Sequence, residues 1–63
     1  MNARVGDRVV VEAIRLGGER RIGIITTVEH ADGTPPYRVH WLSDDRTTLF
    51  FPGPETHIEA AAR

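Results

Sequence analysis

Residues 20–42 read RRIGIITTVEHADGTPPYRVHWL, and the fold turns on this stretch. Arg20–Glu29 is dense in β-branched residues, the composition of a pleated, half-buried strand. Gly23 inside it marks a bulge or a close backbone approach. The alternation slips between Ile25 and Val28, which predicts a bulge or sharp bend at Thr26-Thr27. His30–Pro36 is a turn: Asp32-Gly33 accommodates a positive φ, and Pro35-Pro36 forces an extended exit. Tyr37–Leu42 then alternates, with Tyr37, Val39 and Trp41 on the expected core face and Arg38, His40 and Leu42 on the other.

Beyond this unit, Ser43-Asp44-Asp45-Arg46 is a polar turn. Thr47–Phe51 is a fourth strand, with Leu49 and Phe51 expected inward and Phe50 outward. On the N-terminal side, Gly6-Asp7 turns the chain into a β-branched run. Parity there places Val5, Val9, Val11 and Ala13 inward and Arg8, Val10, Glu12 and Ile14 outward. The adjacent glycines of Leu16-Gly17-Gly18-Glu19 make a loop. Pro52-Gly53-Pro54-Glu55 cannot be strand interior and is expected to form one 3₁₀ turn. Thr56–Ala60 is read as a closing strand with Ile58 inward; the rival is a short helix running through Ala60-Ala61-Ala62. Five strands near 7–14, 20–29, 37–42, 47–51 and 56–60, joined by short loops, predict an all-β, antiparallel SH3-like barrel that forms one domain over residues 1–63.

Four segments together resemble a family of short, largely actinobacterial proteins, domain-of-unknown-function family 1918. They are Val5–Val11, Arg21–Ile25, Asp32–Trp41 with its double proline, and Phe51-Pro52-Gly53-Pro54-Glu55, and the resemblance covers roughly residues 3–59. It implies an SH3-like fold and a free-standing small protein, and it carries no activity, cofactor or site. One departure is local: relatives tend to have an Asp-Asp-Gly type turn after the aromatic strand, where this chain has Leu42-Ser43-Asp44-Asp45-Arg46.

Composition narrows the function classes. A chain of 63 residues without cysteine has no disulfide or thiolate metal site to support it, and a core of this size supplies only about 3–5 kcal/mol. The longest apolar runs, Val9–Val11 and Leu49–Pro52, are far too short for a membrane-spanning helix, and no secretory signal opens the chain. The expectation is a cytoplasmic protein without membrane contact. A formal net charge of −1 argues against bulk electrostatic nucleic-acid binding. The charge is uneven, however: residues 1–21 hold five arginines against three acids, and residues 22–63 hold three against six.

No nucleophile–base–acid constellation is visible. Ser43 lies in an acidic turn, and the threonines fit by strand propensity. His30, His40 and His57 are not forced to converge as metal ligation requires. Gly17-Gly18 lacks the lysine and helix of a phosphate loop. The chain is therefore expected to be no enzyme, with no cofactor, metal or small-molecule substrate. Two surface readings remain. Outward Arg38, His40, Leu42 and Phe50 make a mixed basic and apolar patch for a protein partner or a second copy, unless the C-terminal segment covers Phe50. Arg15, Arg20 and Arg21 offer a weaker, nucleic-acid-contacting edge.

Overall fold

The computed structural model describes residues 2–13 and 17–61. Five strands, β1 (Arg8–Val11), β2 (Arg21–Val28), β3 (Tyr37–Trp41), β4 (Thr47–Phe50) and β5 (Thr56–Glu59), form one antiparallel sheet in the order β4-β3-β2-β1-β5. The last segment is a strand, not a helix: Val9 pairs with Ile58 and Arg8 with Glu59. The expected closure into a barrel is not made, and β4 and β5 remain the two edges of an open sheet. Pro52 and Pro54 follow β4 and have no N–H to extend a ladder. The chain turns at once, with Thr56 N–H donating to Gly53 C=O (3.0 Å).

The core lies on one face of this sheet. The registers align Trp41, Gly23, Val9 and Ile58 in one cross-strand row, Thr48, Val39 and Ile25 in the next, and Phe50, Tyr37 and Val28 in a third. Val9, Ile25, Tyr37, Val39 and Trp41 are the buried centre, with Val11, Val28, Phe50 and Ile58 packed around them. The register shift between Ile25 and Thr27 is the bulge expected at Thr26-Thr27, and it keeps Val28 on the core side. Gly23 is there because the row is crowded. A Cβ at this position would collide with the Val39 side chain and stand 3.0 Å from both the His40 carbonyl oxygen and the Trp41 ring.

Three parity readings are corrected by the structure. Leu49 and Phe51 face solvent (44% and 68% exposed), while Thr48 and Phe50 take the inward positions. The hairpin turn decides this. Trp41 N–H donates to Arg46 C=O (2.7 Å), and Asp45 N–H donates to Trp41 C=O (3.0 Å) with Asp45 at φ 61°. That geometry sets Thr48 opposite Val39, and the alternation follows from there. Val5 is exposed because Arg4–Asp7 is a turn, closed by Asp7 N–H to Arg4 C=O (3.0 Å), so strand parity does not reach it. Ala13, expected inward, is also exposed, because it lies past the end of β1 at Val11. Val10 does lie on the outer face, yet it is buried there, flanked by Ile22 on β2 and His57 on β5.

Candidate functional site

The outer face of the sheet carries the exposed chemistry. Its rows are Leu49, Arg38 and Thr27; then Thr47, His40, Ile24, Arg8 and Glu59; then Ile22, Val10 and His57. At the β1–β5 end this face is roofed by charged and polar side-chain contacts. Arg20 pairs with Glu12 (3.0 Å), His57 sits 3.7 Å from Glu12 and 3.5 Å from Glu59, and Arg8 lies 3.7 Å from Glu59. Each of these pairs is half-exposed and contributes little to stability, but together they leave no open apolar surface over Val10.

The β3–β4 end is different. Leu42 (56% exposed), Leu49 and Phe51 are three of the four large hydrophobic side chains exposed among the described residues. Leu42 leaves β3 with its N–H bonded to Ile22 C=O (3.0 Å), and Leu49 stands opposite Arg38. Arg38 pairs with Glu29 at 3.6 Å. His40 is held at both ring nitrogens, Nε2 at 2.8 Å from Asp45 Oδ1 and Nδ1 at 3.1 Å from Thr47 Oγ1. A hydroxyl, an imidazole and a carboxylate in this order could in principle relay a proton. Here they lie along an exposed hairpin, away from the cleft lined by Asn2, Asp7 and Asp32. Their evident role is to pin the turn.

Of the expected patch, Arg38, His40 and Leu42 do share the hairpin's outer side, while Phe50 does not. Phe50 meets the Trp41 ring edge-on (centroids 5.2 Å apart, planes at 85°) and packs against the core. The apolar side chain opposite Arg38 is instead Leu49, which strand alternation alone would place in the core. The signal that could have found it is Thr48, whose hydroxyl accepts the Trp41 indole N–H (2.7 Å). An inward Trp needs such a partner across the strand pair.

The arginine edge is spoken for where it is described. The Arg20 guanidinium is on Glu12, and that of Arg21 lies 4.1 Å above the Trp41 ring on the core side of the sheet. Arg15 lies outside the described residues. His30 bonds Thr34 Oγ1 through Nδ1 (3.1 Å), and among the described residues no three His, Cys, Asp or Glu side chains gather as a metal site.

An open cleft of about 440 Å³ lies where residues 2–4 and Ala60 meet the β2–β3 turn, lined by Asn2, Ala3, Arg4, Asp7, Ala31, Asp32, Gly33 and Ala60. Its polar groups are engaged in structure. The buried Asp7 carboxylate accepts Arg4 N–H (2.9 Å) and Ala61 N–H (3.1 Å), tying the first turn to the segment after β5. Gly33 C=O accepts both Ala3 N–H (2.9 Å) and the Tyr37 hydroxyl (2.7 Å). Asp32 accepts the Thr34 hydroxyl (2.6 Å) and N–H (3.1 Å), and the hydroxyl bond above all holds its carboxyl below the ordinary aspartate value. Burial, with the Asp32 charge adding to it, pushes the Tyr37 phenol above its ordinary value.

The model of the family described as Domain of unknown function (DUF1918) matches residues 1–58. The chain belongs to this family. Among its relatives are uncharacterized proteins Rv0569 and Rv2302 of Mycobacterium tuberculosis (strain ATCC 25618 / H37Rv). Each is 36% identical over 61 residues, which is 97% of this chain and 69% and 76% of the respective relative. Uncharacterized protein Mb2324 of Mycobacterium bovis (strain ATCC BAA-935 / AF2122/97) aligns over 61 residues at 36% identity, covering 97% of this chain and 76% of its own length. No solved structure matches the chain. Among the described residues no helix is long and apolar enough to cross a membrane.

Proposed function

We propose that this DUF1918 domain is a non-enzymatic protein-interaction module of the cytoplasm, working through the outer side of its β3–β4 hairpin. The observation that carries the reading is that Leu42, Leu49 and Phe51 are all exposed along this hairpin, with Leu49 directly opposite Arg38, while the β1–β5 end of the face is covered by charged and polar contacts. Apolar exposure rimmed by polar groups marks association surfaces more often than bare solvent contact. The absence of cysteine fits a reducing compartment.

The test is a photoreactive amino acid placed at position 49 in living cells, with position 60, beside the opposite sheet edge, as control. Covalent protein adducts are expected from position 49 and not from position 60. No adduct from either, or equal yields from both, rejects the reading.

A further inference from the structure

The open edge of β4 has a structure of its own. Trp41 N–H points to β4 and Leu42 N–H to β2, and antiparallel ladders alternate. The backbone groups of Thr48 and Phe50 therefore face β3, and those of Thr47 and Leu49 face outward from the sheet. No charge interrupts Thr47–Phe51, whereas the outward side chains of the other edge, β5, are His57 and Glu59, the latter paired with Arg8. Natural sheets guard their edges with charges. Here one edge is guarded and the other is apolar.

We propose that β4 pairs with β4 of a second copy of this chain, antiparallel about a two-fold axis through Leu49, joining two five-stranded sheets into one. The inference rests on the interaction reading above and names its partner. What completes this edge must supply alternating donors and acceptors at strand spacing, and β4 itself is such a strand. In this register Leu49 faces Leu49 of the other copy and Thr47 faces Phe51 of the other copy. Two exposed apolar side chains from each copy then meet on one face, and the interface is isologous and closes after two copies. The charges favour a second copy over an acidic or basic partner. The paired strands are uncharged, and a formal net charge of −1 gives two copies little to repel.

The experiment is sedimentation equilibrium of the full chain from micromolar to millimolar concentration, beside Leu49→Lys, with amide hydrogen exchange at both ends of that range. The expected result is a reversible monomer–dimer equilibrium, with concentration-dependent protection of the Thr47 and Leu49 amides and a dissociation constant raised at least tenfold by Leu49→Lys. Because Leu49 is exposed, that variant stays folded, as its circular dichroism will show. A monomer throughout, or a dimer indifferent to Leu49→Lys with unprotected edge amides, overturns the inference. A monomer whose position-49 adducts contain a different protein overturns the pairing and leaves the interaction reading standing; a monomer without adducts overturns both.

Discussion

At the scale of single residues, the side chains that matter are those satisfying a backbone. Asp45 occupies the left-handed region at φ 61° and also holds His40. Asparagine keeps both the tolerance for positive φ and the acceptor, whereas alanine keeps neither. Asp45→Asn is expected to leave the urea midpoint nearly unchanged, and Asp45→Ala to lower stability by about 1–2 kcal/mol. Asp32 offers a titration. Its folded carboxyl ionises below the ordinary aspartate value, so its contribution is present above that value and is lost as pH falls through the folded one. In Thr34→Ala, carbon-detected NMR titration should show the Asp32 carboxyl moving up toward its ordinary value. For Tyr37 the shift is upward, so the buried neutral phenol favours the fold below its ordinary pKa. That contribution disappears as pH rises through the folded value, and circular dichroism across the alkaline range should record weakening stability.

At the scale of elements, β4 is placed by its turn and by Trp41 rather than by its own alternation. Thr47-Thr48-Leu49-Phe50-Phe51 offers two readings that differ by one residue, both with an aromatic side chain inward. Placing the larger apolar count inward chooses Leu49 and Phe51. The structure chooses Thr48 and Phe50, because the turn pairs Trp41 with Arg46 and the indole N–H needs the Thr48 hydroxyl. The consequence is measurable. Phe50→Ser is expected to remove most of the stability of so small a domain, about 2–3 kcal/mol for a half-buried ring, while Leu49→Ser and Phe51→Ser change it by less than about 0.5 kcal/mol. Equal losses for all three in urea unfolding would contradict this placement. In β2, Gly23 permits the close passage of Val39 and Trp41, and Gly23→Ala should cost about 1–3 kcal/mol by overpacking.

At the scale of the whole molecule, Asp7 ties the segment before β1 to the segment after β5. Its carboxylate joins the Arg4–Asp7 turn to Ala61, 54 residues along the chain. Asp7→Ala leaves two N–H donors without this acceptor in a part-buried place, a loss of about 1–3 kcal/mol. Fast exchange of the Arg4 and Ala61 amides in that variant is the specific sign. An open sheet also exposes two edges, and this chain treats them unequally: β5 presents charges and β4 presents apolar side chains.

The sequence by itself determined much. The β-branched run of β2, the bulge at Thr26-Thr27, the inward set Tyr37, Val39 and Trp41, the closing strand at Thr56 and the family were all legible, because each rests on local composition or on alternation within one strand. Tertiary structure alone decided the parity of β4, the burial of Val10, the sheet left open and the surface on which Leu49 stands opposite Arg38. These depend on cross-strand register and on which side chain another one needs. A period of two cannot report such quantities when two neighbouring phases are both apolar.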